Sequence, residues 1–180
     1  MSNQETRSAN NYQEIAPHLS LRIAKVPVED TLELRHAVLW PNEPLSYVRL
    51  PEDDAGHHYG AFLPAIDKPV AVISLFKESM PTSVAIESAA ASEGDTPSES
   101  AARFRKFACD PLYQCQGIGT SLLQHVFKAA SSELAVNVIW CDARLSTSSW
   151  YGKRGMIPFG EPFYKGSVEY IRMRTDLRNA

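Results

Sequence analysis

Residues 107–123 read FACDPLYQCQGIGTSLL. Three signals follow one another in this run. A strand ends at Cys109. A loop then holds Gln114-Cys115-Gln116-Gly117-Ile118-Gly119. A helix comes next, with Ile118, Leu122, Leu123, Val126, Phe127 and Ala130 at helical spacing. Glycines at a strand-to-helix junction let the backbone approach a ligand closely. The first amides of a helix have no acceptor within it. They stand at the positive end of the helix dipole. The group that such a junction holds best is a phosphate or pyrophosphate.

The spacing of the glycines narrows the ligand. A dinucleotide fingerprint needs G-x-G-x-x-G, and position 122 is Leu. A Walker loop needs Gly-Lys-Ser/Thr, which does not follow here. A nucleotide binder of the Rossmann type is therefore disfavoured.

Working outward, residues 102–109 (ARFRKFAC) alternate as a strand, and Asp110-Pro111 opens a turn. Upstream, residues 19–26 (LSLRIAKV) read as a first strand. A helix is predicted over 30–39, with Leu32, Leu34, Val38 and Leu39 as its apolar positions. Pro41 and Pro44 end it. Residues 42–56 read as loop with one short helix. Residues 58–63 and 69–76 read as a hairpin turning at 64–68. Residues 77–100 are rich in Ser, Ala, Glu, Pro and Thr without periodicity and read as a long mobile insertion. Downstream, residues 136–141 (VNVIWC) form a buried-type strand. A short helix over 146–154 closes at Gly155. Residues 156–163 and 168–175 read as two last strands. Residues 1–18, rich in Asn, Ser and Gln, read as a flexible tail. The expectation is one mixed α/β domain over 19–177.

The chain has 180 residues, 44% of them hydrophobic and 22% charged, with a net charge of -3. That is enough apolar material for a core and shows no basic stripe, so nucleic acid is not an expected partner. Cys109, Cys115 and Cys141 are too few for a disulfide framework, and no C-x-x-C pair suggests structural zinc. No metal is expected. No apolar run approaches the ~18 residues of a membrane span, and residues 1–14 lack the apolar core of a signal peptide. A soluble cytoplasmic protein is expected.

Gln114-Cys115-Gln116-Gly117-Ile118-Gly119 matches the pattern Q/R-x-x-G-x-G/A. With residues 107–113 before it, the run resembles the coenzyme A-binding motif of the GNAT superfamily, the Gcn5-related N-acetyltransferases. Downstream, Trp140-Cys141-Asp142-Ala143-Arg144, then Thr147, Trp150-Tyr151 and Gly155-Met156, resemble that family's second pattern, Asn-Ala-Arg then A-x-x-F-Y-x-x-x-G-F. Here Asp142 stands for Asn, Thr147 for Ala, Trp150 for Phe and Met156 for Phe. Tyr151 is kept.

The resemblance implies an α/β (α+β) fold with a mixed, mostly antiparallel central sheet of about six to seven strands and about four helices. It implies acetyl-coenzyme A as co-substrate. The backbone amides of Cys115, Gln116, Gly117, Ile118, Gly119 and Thr120, with Gln114 in the motif, would hold the pyrophosphate. Phe107, Ala108 and Cys109 would pair with the pantetheine amides, as an added strand does. Tyr151 would be the general acid for the departing thiolate, since a phenol with a pKa near ~10 is protonated at neutral pH. Glu169, in the closing hairpin, is a candidate base or acceptor contact. A backbone amide near Cys109 would polarise the thioester carbonyl.

The activity implied is transfer of an acetyl group to a primary amine by direct attack in a ternary complex. The alternative is a non-catalytic coenzyme A-binding sensor or scaffold. The acceptor, a small-molecule amine or a peptide, is not legible, although the mildly negative chain slightly favours a cationic amine. A homodimer is left open, being common among relatives. Arg35-His36-Ala37-Val38-Leu39 resembles a helix that borders the acceptor pocket in some members. His57 and His58 read as an exposed loop pair, and Asp53 and Asp54 as solvated. Cys109 and Cys115 read as small packing residues, with no covalent intermediate expected. Trp40, Trp140 and Trp150 read as core or pocket walls.

Overall fold

The computed structural model describes residues 20–81 and 100–178. The expected tail over 1–18 and most of the expected insertion over 77–100 lie outside the described residues. Seven strands form one sheet: β1 (Arg22–Lys25), β2 (His57–Phe62), β3 (Ala71–Lys77), β4 (Ala101–Cys109), β5 (Val138–Arg144), β6 (Ile157–Lys165) and β7 (Val168–Asp176). Their order is β1-β2-β3-β4-β5-β7-β6. Every neighbouring pair is antiparallel except β4 with β5. Three α-helices are described: α1 (Glu29–Leu39), α2 (Ile118–Leu134) and α3 (Ser148–Gly152). Four 3₁₀ turns join them. This is the mixed, mostly antiparallel α/β architecture that the resemblance implied.

The period-2 alternation in the strands divides the sheet into two faces. On one face Ile73 and Leu75 of β3, Phe104 of β4, Ile139 and Cys141 of β5 and Ile171 and Met173 of β7 form the main core with α2. Helix α2 supplies Ile118, Leu122, Leu123, Val126, Phe127, Ala129 and Ala130 to it, as its spacing predicts. On the other face lies α1. Its buried residues are Thr31 and Arg35, one turn apart. The expected apolar positions Leu32, Leu34, Val38 and Leu39 are only half-buried. The helix is placed correctly, but its buried stripe is polar, because Arg35 has partners under it.

Those partners correct two readings. Asp53 and His58 are buried, not solvated, while Asp54 is exposed. Arg35 Nη1 donates to Asp53 Oδ2 at 2.7 Å and Nη2 donates to Asp53 Oδ1 at 3.1 Å. Arg35 Nη2 also donates to Ser74 Oγ at 2.5 Å. Ser74 Oγ lies 2.7 Å from His58 Nδ1, and His58 Nε2 lies 2.8 Å from the Asp53 carbonyl. A neutral His58 with its proton on Nε2 closes this ring: Nε2 donates to the carbonyl and Nδ1 accepts from Ser74. Burial, aided by the Arg35 charge, holds His58 below the ordinary histidine pKa against the pull of Asp53. A buried ion pair costs desolvation and is viable where hydrogen bonds satisfy it. His57 points elsewhere, to Glu133 on α2 at 3.2 Å.

At the start of the expected insertion the described residues are tied to the sheet. Lys77 ends β3, and the Glu78 amide donates to the Ala101 carbonyl at 3.1 Å. The Glu78 carboxylate accepts from Arg103 at 2.9 Å and Arg105 at 2.5 Å. Two arginines on an otherwise covered sheet face need that counter-charge, which pins the chain at Glu78.

Candidate active site

Strands β4 and β5 start side by side and then part. Their parallel pairing covers Ala101 with Val138, Ala102 with Ile139 and Arg103 with Trp140. Beyond that point β4 continues to Cys109 and β5 to Arg144 without pairing each other. The cause lies in β4. Val72 faces Ala108 while Ser74 faces Arg105, so β4 carries one extra residue. Lys106 stands at that bulge with φ 53°. A bulge bends its strand and raises the local twist, here turning the second half of β4 away from β5. A wedge opens in the middle of the sheet, and one edge of residues 104–109 is left without a partner strand among the described residues.

The loop at the end of β4 closes one end of this wedge. The Asp110 side chain accepts from the Leu112 amide at 2.9 Å and caps a 3₁₀ turn at Pro111–Tyr113. Cys115 and Gly117 both adopt positive φ, 61° and 83°. Gly117 is the N-cap of α2 and offers no side chain to its first amides. The first helical bond runs from the Ser121 amide to the Gly117 carbonyl at 3.0 Å. The amides of Ile118, Gly119 and Thr120 are therefore free of the helix. The motif glutamines are braces: Gln114 Nε2 donates to the Cys109 carbonyl at 3.0 Å, and Gln116 Nε2 donates to the Leu112 carbonyl at 3.2 Å. A Cβ on Gly119 would meet Phe107 at 3.4 Å and Trp150 at 3.8 Å, so this glycine leaves room beside both rings.

Arg154 joins the loop from beyond α3. Its Nε and Nη2 donate to Thr120 Oγ1 at 2.9 and 2.8 Å, and its guanidinium lies 3.6 Å from the centre of the Trp150 ring. A fixed positive charge thus stands beside the positive end of α2. Sequence reasoning missed it, because 34 residues separate Arg154 from Thr120 and only the fold brings them together.

Helix α3 lies over the wedge. Tyr151 packs against Phe104, ring centres 5.9 Å apart, and against Trp150 at 5.0 Å. Phe104 is the first β4 residue beyond the last β4–β5 pair. Burial, with the Cys141 thiol close by, raises the Tyr151 phenol above its ordinary pKa. Cys141 is the first β5 residue beyond the same pair. Tyr151 thus stands where the two strands separate. Gly155, with φ 85°, ends this segment and returns the chain to β6.

The candidates fall in two groups. Phe107, Ala108 and Cys109 line the parted half of β4, the loop from Gln114 to Thr120 caps it, and Tyr151 overlies it. Glu169 is near the start of β7, facing Tyr164 of β6 across the closing hairpin. Its register puts it on the face of Ile171 and Met173, the side of α2 and α3. Among the described residues no group of three or more His, Cys, Asp or Glu could hold a metal ion. Nor is any described helix long and apolar enough to cross a membrane.

Comparisons with known proteins agree with this geometry. A family model described as an acetyltransferase (GNAT) domain matches residues 74–177. The chain is 29% identical over 163 residues to YitI of Bacillus subtilis, described as an uncharacterized N-acetyltransferase, covering 89% of this chain and 99% of that protein. Among solved structures, FeeM, an N-acyl amino acid synthase from uncultured soil microbes, superposes with TM-score 0.65 at 18% identity, covering 91% of this chain and 93% of that one. An acyl-CoA N-acyltransferase from Pseudomonas aeruginosa gives TM-score 0.61 at 16% identity, covering 87% and 99%. At such identities the structures share a fold. Because the family model spans residues 74–177, more than half of the chain, with the parted strands, the loop and α3 all inside it, the protein belongs to the GNAT acetyltransferases, a family defined by coenzyme A-dependent acyl transfer.

Proposed function

We propose that this protein transfers an acetyl group from acetyl-coenzyme A to a primary amine by direct attack in a ternary complex. The observation that carries this reading is the wedge: β4 and β5 pair over only three residues each, and a loop rich in free amides sits at its end.

The residues present fit the co-substrate. Free amides at the start of α2 and the Arg154 guanidinium suit a pyrophosphate. The edge of 107–109 that β5 leaves uncovered, where among the described residues only the Cys109 carbonyl is engaged by the Gln114 side chain, suits the pantetheine amides, which need backbone partners. When bound, acetyl-coenzyme A supplies an activated acyl thioester. This chain then does four things. Parted strands hold the reacting groups side by side, which is worth much of the rate. A backbone amide near Cys109 polarises the acyl carbonyl. Tyr151 holds a proton at its hydroxyl and delivers it to the departing sulfur. Glu169 is the carboxylate proposed to take the ammonium proton, through water.

A thiol-release assay with acetyl-coenzyme A and an amine panel tests the reading. Turnover with at least one primary amine is expected. Tight coenzyme A binding without turnover of any amine would favour a non-catalytic sensor or scaffold.

Two substitutions probe the cofactor end. Gly119→Val places branched carbons against Phe107 and Trp150 beside the free amides. Its expected effect is a loss of coenzyme A affinity of at least about 10-fold by calorimetry, or about 1.4 kcal/mol. Arg154→Gln removes one charge and keeps hydrogen-bonding capacity. It is expected to raise KM for acetyl-coenzyme A by roughly 3–10-fold with kcat unchanged. An unchanged KM would show that Arg154 serves only to tie α3 to α2.

A further inference from the structure

The α1 side of the wedge is rich in cations. Arg103 and Arg105 extend from β4 on this face, Lys106 from the bulge, Lys165 from β6 and Arg172 from β7. Their carboxylate partners among the described residues are Glu52, Glu78 and Asp142. Asp142 alone serves Arg103, Lys165 and, at 3.7 Å, Arg172. Among the described residues the buried guanidinium Nε atoms of Arg35, Arg103, Arg105 and Arg172 have no hydrogen-bond partner, and neither has Asp142 Oδ1.

Lys106 is the cation left over. Its ammonium lies 3.7 Å from the centre of the Trp40 ring. No ion pair joins it to a carboxylate among the described residues. The carboxylate whose charge reaches it is Asp53, which Arg35 already holds. The charges that bear on Lys106 are Arg35 of α1, Asp53 of the 3₁₀ turn at Asp53–Ala55, Arg105 of β4 and Lys165 of β6. Burial first, then Arg35, pushes its pKa down to about 8. An ammonium kept half-buried among other cations is a poor choice for stability. It is a good choice for an anion that arrives with a ligand.

Lys106 sits at the bulge that opens the wedge, the residue directly before the 107–109 edge proposed to hold the pantetheine. We infer that the acceptor amine carries an anionic group, a carboxylate in the first instance, and that Lys106 with neighbouring Arg105 and Lys165 binds it on the α1 side of the wedge. The inference rests on the acetyltransferase reading above. It reverses the slight preference for a cationic amine drawn from net charge. Net charge is summed over the whole chain, whereas the wedge gathers cations locally.

The test uses product-like ligands, so that binding is measured apart from turnover. N-acetyl amino acids with apolar, aromatic and acidic side chains are titrated as free acids and as amides into the coenzyme A-loaded protein. Calorimetry gives affinities, and tryptophan fluorescence reports on Trp40. At least one free acid is expected to bind 10-fold or more tighter than its amide. Lys106→Met should erase that difference, Lys106→Arg should retain most of it, and neither should alter coenzyme A affinity. The advantage of the acid should fall as pH rises from 7 to 9, as Lys106 loses its proton. Equal binding of acid and amide, no binding of either, or an unchanged preference in Lys106→Met would overturn the inference. If acids bind selectively but no amine in the panel is acetylated, the anion site stands and the transferase reading fails.

Discussion

Tyr151→Phe is expected to lower kcat for acetyl transfer about 100-fold, or about 2.7 kcal/mol of barrier, with KM for acetyl-coenzyme A nearly unchanged. The substitution removes one oxygen. The ring contacts with Phe104 and Trp150 remain, so the wedge keeps its shape. What is lost is a proton held where sulfur must leave. Burial makes Tyr151 a weaker acid than free phenol. The same low-polarity setting raises the pKa of a thiolate formed beside it, which keeps the transfer feasible. Because the phenol pKa lies above 10, Tyr151 should stay protonated across the working range. Activity should therefore rise with pH as the acceptor amine deprotonates, with no alkaline fall below about pH 10 caused by this residue. Steady-state kinetics from pH 6 to 10 on wild type and Tyr151→Phe check both points. A kcat within threefold of wild type would reduce Tyr151 to a packing aromatic.

Asp53→Ala should have the largest effect on stability. Asp53 is the buried carboxylate that neutralises Arg35, and both side chains are fully shielded from solvent. Removing it strands a buried guanidinium, which costs about 3–5 kcal/mol. For a protein of this size that corresponds to a fall in Tm of roughly 6–20 °C. Its neighbour Asp54 is the control. It pairs with Arg49 in the open, and Asp54→Ala should leave Tm within about 2 °C. The network also sets an acid limit. The folded pKa of His58 lies below its unfolded value near 6.5. The stability that depends on neutral His58 is complete above about pH 6.5. It is lost as pH falls from there through the lower folded pKa, because the unfolded chain then binds the proton more readily. Thermal melts at pH 7.5 and 5.0 read this directly, and His58→Gln should flatten the dependence.

Much of the cofactor end was legible in the chain because its signals are local. The strand ending at Cys109, the turn at Asp110-Pro111, the two glycines and the apolar spacing of α2 each depend on neighbours within a few residues. The structure gives them the form their spacing predicts. The same holds for most strands, whose alternation records which face is covered. Where a reading needed partners from distant segments, it went astray. Asp53 and His58 looked like loop residues because nothing nearby in sequence shows that Arg35 lies between them. Leu32, Leu34, Val38 and Leu39 marked the helix by their spacing, but its buried side is Thr31 and Arg35. Glu78 looked like part of a featureless insertion because the arginines it neutralises lie on another strand.

The sequence by itself determined the α/β class, the order of elements and the strand-loop-helix motif that identifies the family, since periodicity and turn chemistry are short-range. Only the tertiary structure decided that β4 bends at Lys106 and parts from β5, that Tyr151 comes to rest over the parting, and that Arg154 reaches Thr120. It also gathered Arg103, Arg105, Lys106, Lys165 and Arg172 on the α1 side of the sheet. These are consequences of which distant segments pack together, and they depend on burial and on charge counted within a few ångströms rather than along the chain.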